Sequence, residues 1–252
     1  MKKVQRAAAA ALILGTATAC SGGGETTATD SSAVAEPVMV LAAASTRVLN
    51  EDIDSMSELE LSFVNAGSST LVQQLIDGSP GDILITADKA TMDRAVEAGV
   101  VADPRVIATN HLVLVTPQDN PARITGVDES LRGAQVVACD SQVPCGRSTE
   151  KFVEKLLPGL EFVSREHSVT DVLGKVTSGE ADAGWVYSSD ALAAGDSVKV
   201  FEVPGAEEDP NEYLAAVVSA SQRQQDAEQI IELIDAKDAD TMWTEHGFTP
   251  SK

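Results

Sequence analysis

Apolar and polar positions along this chain switch between a period of two and a period near 3.6, and the switches predict most of its elements. Val38-Met-Val-Leu41 is a short apolar strand. It runs through the small residues Ala42-Ala43-Ala44-Ser45 into a helix whose inner face is Leu49, Ile53 and Met56. Leu59 to Phe63 predicts a second strand, and Ala66-Gly67 a turn. Ser68-Ser69-Thr70 stands where a helix begins, with Leu71, Val72, Leu75 and Ile76 on one face. Asp77 to Gly81 stops that helix, and Ile83, Leu84 and Ile85 resume as a buried strand. Asp88 is placed to cap a helix that carries Met92, Ala95 and Val96 inward and stops at Gly99. A strongly apolar strand follows over Asn110 to Thr116, ended by Pro117.

After Pro117 the pattern starts again. A polar stretch from Gln118 to Asp128 leads to a strand at Gln135–Cys139 and a turn at Val143-Pro-Cys-Gly-Arg147. A helix with Phe152, Val153, Leu156 and Leu157 inward stops at Pro158-Gly159, and Glu161-Phe-Val163 predicts a strand. Ser168 caps a helix burying Val172, Leu173 and Val176, and Ala183 to Tyr187 is a strand that ends in an aromatic hydroxyl. Tyr213–Val218 is a further strand, and Ile230, Ile231 and Ile234 mark a late helix. Two successive β/α sets argue for two α/β lobes. The first takes residues 37–116 and 219–252, the second 117–218, with the strands at 110–116 and 213–218 placed to cross between them.

The first 36 residues follow other rules. Lys2, Lys3 and Arg6 precede an apolar run from Ala7 to Leu14, and Ala17-Thr-Ala-Cys20 follows, which is a signal peptide too short to span a membrane. Ending on a cysteine after small residues, residues 1–19 resemble a bacterial lipoprotein signal, with lipid attached to Cys20. The alternative is a soluble secreted protein cut near Ala19. Residues 20–36, rich in Ser, Gly, Thr and Ala, read as a flexible tether. Removing the leader's three basic residues takes the formal charge from −21 to −24. Nothing resembles a basic patch, which argues against a nucleic-acid partner. Cys139 and Cys145 are close in sequence in an exported chain, so they are expected to pair and close a loop worth roughly 2 kcal/mol; two free thiols are the alternative. His111, His167 and His246 are scattered without metal-ligand spacing.

Ligands of such sheets bind where strand ends lead into helices. Four loops have that character: Ala44-Ser45, Gly67-Ser68, Pro144-Cys145-Gly146 and Ser168-Val169. Tyr187 ends its strand at the same kind of edge. Taken singly each has a plain structural reading: a capping serine, a disulfide turn, a core tyrosine. Together they offer neutral hydroxyls and free backbone N–H groups at helix starts, with only Arg147 as a cation and no carboxylate acceptor among the donors. Helix dipoles and oriented amides can stabilise an anion there without a salt bridge. A site of donors alone suits a fully deprotonated oxyanion, whereas phosphate near neutral pH keeps a proton and wants an acceptor. Sulfate, molybdate or tungstate fit better. A hydrolase using Ser68 or Cys145 lacks a Gly-x-Ser-x-Gly elbow and a placed histidine.

A set of motifs narrows this further. Ala42-Ala-Ala-Ser45, Gly67-Ser-Ser-Thr-Leu71, Gly81-Asp-Ile-Leu-Ile-Thr-Ala-Asp88, Asn110-His-Leu-Val-Leu-Val, Val143-Pro-Cys-Gly-Arg147, Gly179-Glu-Ala-Asp-Ala-Gly-Trp-Val-Tyr187 with Asp190, and Gly247-Phe-Thr-Pro250 stand in that order. In this the chain resembles the periplasmic molybdate-binding proteins, the substrate-binding subunits of molybdate ABC transporters, over nearly all of residues 37–250. The resemblance implies a type II periplasmic-binding-protein fold, two α/β lobes joined by two crossing strands. It implies molybdate or tungstate as ligand, no cofactor, no catalysis, and no metal held except as the oxyanion. Its ligand contacts fall on Ser45 and Ser68 (hydroxyl and N–H), Cys145 and Val169 (N–H), and Tyr187 (hydroxyl). It further implies a monomer delivering to a permease, and the lipoprotein-like signal adds a lipid anchor on the outer face of the cytoplasmic membrane. Sulfate or another oxyanion on the same fold is the alternative.

Overall fold

The computed structural model describes residues 36–251. The expected signal peptide, Cys20 and all but the last residue of the tether lie outside them. The chain opens with β1 (Val38–Ala43), a 3₁₀ turn over Ala44–Leu49, α1 (Asn50–Met56), β2 (Leu61–Ala66), α2 (Ser68–Ile76), β3 (Ile83–Thr86), α3 (Lys89–Glu97) and β4 (Val101–Asn110). It continues with β5 (Leu112–Pro117), β6 (Val136–Cys139), α4 (Pro144–Leu156), β7 (Ser164–Glu166), α5 (Val169–Thr177), β8 (Ala183–Tyr187), α6 (Ser188–Ala194) and β9 (Val198–Glu202). It closes with β10 (Asn211–Val218), α7 (Gln224–Asp235), α8 (Asp240–Glu245) and β11 (Thr249–Pro250).

These elements make two α/β lobes, each on its own mixed sheet. The six-stranded sheet runs β11-β4-β10-β3-β1-β2 and the five-stranded sheet β7-β6-β8-β5-β9. In the first, β1 lies parallel to β2 and β3, and β10 lies antiparallel to β3 and β4. In the second, β6 lies parallel to β7 and β8, and β5 antiparallel to β8 and β9. The central strands β3, β6 and β8 are buried along their whole length, as strands covered on both faces must be. Leu71, Val72 and Leu75 seat α2 on its sheet, and Val172 and Val176 seat α5 on the other.

Several expectations move. The chain crosses between sheets at His111 and again between Glu202 and Asn211, so the crossings are short joints rather than strands. The strand expected at 110–116 belongs to the five-stranded sheet, where Leu112–Val115 pairs with β8. The strand expected at 213–218 belongs to the six-stranded sheet, between β3 and β4. The lobe boundaries drawn at 116 and 218 shift with them, because periodicity marks a strand without naming its neighbours. The strand placed at Glu161–Val163 forms at Ser164–Glu166, where β6 supplies the partner. β4 and β9 escape the apolar pattern because β4 is broken by Asp103-Pro104-Arg105 and β9 is half exposed. Ile76 and Val96 are exposed rather than inward, each in the last turn of its helix. Val143 to Arg147 is the first turn of α4 rather than a loop, with Pro144 at N1, where its missing N–H costs nothing.

Candidate functional site

Three helix starts and one 3₁₀ start converge between the lobes. β1 delivers Ala44-Ser45, β2 delivers Gly67 and α2, β6 delivers α4, and β7 delivers α5. The cavity among them is lined by Ser45, Ser68, Cys145, Val169 and Tyr187, together with Gly67, Pro144 and the His167 stretch. The centre of a water-sized sphere can range over about 20 Å³ there. Adding the sphere's own radius gives a void roughly 3 Å in radius. That is the scale of one small tetrahedral ion and far below that of a sugar or an amino acid. A much larger surface groove of about 830 Å³ runs along α7 past Ala102, Arg105 and Glu228, and it gathers none of these donors.

Each donor is held by local structure. Ser68 is the first residue of α2 and does not cap it: Gly67 is the N-cap and no side chain closes that end. The Ser68 hydroxyl oxygen instead accepts from the Ala87 N–H at 3.1 Å. Ser69 donates across the lobes to the Gln142 carbonyl at 2.7 Å. Ser45 Oγ pairs with Tyr213 Oη at 2.7 Å. Tyr187 Oη accepts from Asn211 Nδ2 at 2.7 Å. Ser168 does cap its helix, its oxygen accepting from the Asp171 N–H at 3.2 Å, so α5 begins at Val169. The first N–H groups of α2, α4 and α5 have no partner within their own helices. Cys145 sits in the first turn of α4 and forms a disulfide with Cys139 at the end of β6, Cα to Cα 5.7 Å. Gly146 beside it has no room for a side chain, since a Cβ there would lie 1.8 Å from the Asp140 carbonyl oxygen.

Burial decides the chemistry of these groups. Ser45, Ser68, Tyr187 and Tyr213 are each at most 2% exposed. Burial holds the Tyr187 phenol well above its ordinary range, and the neighbouring Tyr213, Asp88 and Asp190 push the same way. Tyr187 is therefore a neutral donor throughout the physiological range. Arg147 does not line the cavity. Its guanidinium grips Asp88 with Nε at 2.8 Å and Nη2 at 2.5 Å, and reaches Thr91 Oγ1 at 2.6 Å. On the other flank, Arg47 meets the wholly buried Asp190 at 2.5 Å. Two ion pairs thus span the lobes beside a site that holds no cation itself.

The five residues expected from the sequence surround one cavity. The sequence reading assigned Arg47, Asn211 and Tyr213 no part in the site, and it did not pair Arg47 with Asp190 or Asp88 with Arg147. A Cβ on Gly67 would lie 2.3 Å from the His167 carbonyl oxygen, so glycine is what lets the lobes meet there. Asp88, Arg147 and Asp190 stood inside recognised motifs, which was a usable signal. Asn211 carried none.

Two α/β lobes shut over an enclosed set of donors define a solute-binding protein. The chain belongs to the bacterial extracellular solute-binding protein family, whose model matches residues 31–249, in its ModA-type group. It is 36% identical over 221 residues to the molybdate-binding protein ModA of Mycobacterium tuberculosis H37Rv, an alignment covering 85% of each chain. Among solved structures it resembles the periplasmic molybdate-binding protein of Azotobacter vinelandii, with TM-score 0.74 and 18% identity over 85% of this chain and all of that one. It also resembles the sulfate-binding protein SubI of M. tuberculosis H37Rv, with TM-score 0.72 and 19% identity over 86% and 87% of the two chains. At those identities both structures speak for the fold alone. No helix among the described residues is long and apolar enough to cross a membrane.

Proposed function

We propose that this protein captures molybdate, and tungstate with it, between its two lobes and delivers it to an ABC importer. The observation that carries the reading is the cavity itself, of oxyanion size and lined by hydroxyl and N–H donors without a carboxylate or a cation. Ser45 and Ser68 donate through hydroxyl and backbone N–H, Cys145 and Val169 through backbone N–H, and Tyr187 through its phenol. Helix-start dipoles spread over the oxyanion stabilise its charge in a buried site. The lobes close about the two joints at His111 and 203–210, a hinge motion of the usual kind. No bond is made or broken, so no catalytic role is assigned. Residues 1–19 act as a lipoprotein signal and Cys20 carries the lipid, which anchors a monomer to the outer face of the cytoplasmic membrane.

The test is a thermal melt of the protein with molybdate, tungstate, sulfate and phosphate in turn. A ligand at a hundred times its dissociation constant adds ~2.7 kcal/mol to the folded state. In a domain of this size that raises the midpoint by roughly 5–10 °C. Molybdate and tungstate are expected to shift it, and Ser45→Ala with Ser68→Ala to abolish the shift. A sulfate shift of equal size would change the substrate and keep the site. No shift with any of the four would overturn the reading.

A further inference from the structure

Asn211 opens β10 at the second joint between the lobes, and its side chain is buried there. Its neighbours fix which way its amide faces. The Ala87 carbonyl, 3.0 Å away, can only accept, so the atom turned toward it is Nδ2. The second N–H of that nitrogen goes to Tyr187 Oη at 2.7 Å, while Oδ1 accepts from Ser148 Oγ at 2.6 Å. A phenol carries one proton. With an N–H directed at its oxygen from Asn211, Tyr187 keeps that proton for another partner, and the cavity is the side left open. Ser68 is treated alike. The Ala87 N–H can only donate, so the Ser68 oxygen is an acceptor in that bond and its own proton stays free. One peptide residue, Ala87, therefore backs Ser68 with its N–H and orients Asn211 with its carbonyl.

We propose that Asn211 is a positioning residue that sets the donor polarity of Tyr187, and through it the preference of this cavity for fully deprotonated tetrahedral oxyanions over those that keep a proton. The proposal rests on the oxyanion reading above. With the Tyr187 oxygen already engaged as an acceptor, an ion such as hydrogen phosphate finds one acceptor fewer for its O–H at the cavity wall. Without the Asn211 amide, the Tyr187 oxygen is free to accept that proton and the discrimination relaxes. The sense of a hydrogen bond, set one residue behind the ligand, then acts as a selectivity filter.

Titration calorimetry with molybdate and phosphate tests this on the wild-type protein, Asn211→Ala, Tyr187→Phe and the double variant. Asn211→Ala is expected to weaken molybdate binding about tenfold and to narrow its margin over phosphate. In the Tyr187→Phe background the same change should cost less than twofold, since the group it acts through is gone. Equal losses in the two backgrounds overturn the assignment. A second readout needs no ligand. The chain holds two tyrosines, so Tyr213→Phe leaves Tyr187 as the sole source of the tyrosine Raman doublet, whose intensity ratio reports whether a phenol accepts or donates. Asn211→Ala should move that ratio from acceptor toward donor, and an unmoved ratio overturns the proposal whatever anion binds. If wild-type protein ignores molybdate, the function reading fails while the Raman result still decides the role of Asn211. Should Asn211→Ala not fold, the nearly isosteric Asn211→Asp serves instead: its carboxylate can only accept, so the Tyr187 Raman ratio should move toward donor. An unmoved ratio in that variant overturns the proposal.

Discussion

Gly67 shows how much a single atom decides at this site. Its backbone angles (φ −57°, ψ 130°) are open to any residue, so glycine is not there for conformational freedom. It is there because the His167 carbonyl oxygen of the opposite lobe occupies the place of a Cβ. Gly67→Ala should therefore leave the ligand-free melting midpoint within about a degree and weaken oxyanion binding by tenfold or more, since the clash exists only with the lobes together; calorimetry beside a melt separates the two. A drop in ligand-free stability as large as the drop in affinity would refute this. Ser45 and Ser68 are held by partners behind them, Tyr213 and the Ala87 N–H, and so are fixed before any ion arrives. Preorganised donors of this kind lose little entropy when the ligand arrives.

At the scale of elements, the starts of α2, α4 and α5 are brought to one point, and two devices brace the surrounding structure. The Cys139–Cys145 disulfide ties the end of β6 to the first turn of α4. Replacing both cysteines with alanine should cost about 2 kcal/mol in denaturant unfolding, the entropy of so short a loop. The second device is the pair Arg47–Asp190, which joins the turn after β1 to α6. Burial pushes the Asp190 carboxyl above its ordinary value, and Arg47 opposes that shift. A carboxyl whose folded pKa is raised binds its proton more readily in the folded state. Its contribution to stability is therefore fully present below the unfolded value of 3.8 and is lost as pH rises through the raised folded value. Wild-type protein should thus gain stability relative to Asp190→Asn as pH falls from 7 toward 4, measured by urea unfolding across that range. A difference that is flat or of opposite sign would show that the Arg47 pair, rather than burial, governs Asp190.

The whole molecule is strongly acidic, with a formal charge of −21, yet it is read as binding an anion. The two facts act over different distances. Long-range repulsion is screened beyond ~10 Å at 0.1 M salt. The donors of the cavity act within hydrogen-bond reach and are scarcely screened. Molybdate association, followed by stopped-flow fluorescence of Trp185 and Trp243, should therefore speed up severalfold as salt rises from 10 to about 150 mM, with dissociation nearly unchanged. An association rate that falls with salt would mean that a local positive field steers the ion. Both tryptophans are buried, one in each lobe, and offer signals from either side of the cleft.

Hydrophobic periodicity alone determined the two α/β sets, the order of most helices and strands, and the loops that end at helix starts. Those depend on which residues lie three, four or two apart, and the chain carries that information locally. The loops that carry the five residues around the cavity were legible for the same reason, since each stands at a strand-to-helix junction, while the family resemblance singled out the residues within them. Only the tertiary structure decided which sheet takes β5 and β10, because pairing is a choice among neighbours distant in sequence. It alone placed Asn211 and Tyr213 behind the hydroxyls, set His167 against Gly67, and joined Arg47 to Asp190 across 143 positions of the chain. A polar side chain acquires its role from the atom it faces, and no spacing in the sequence says which atom that is.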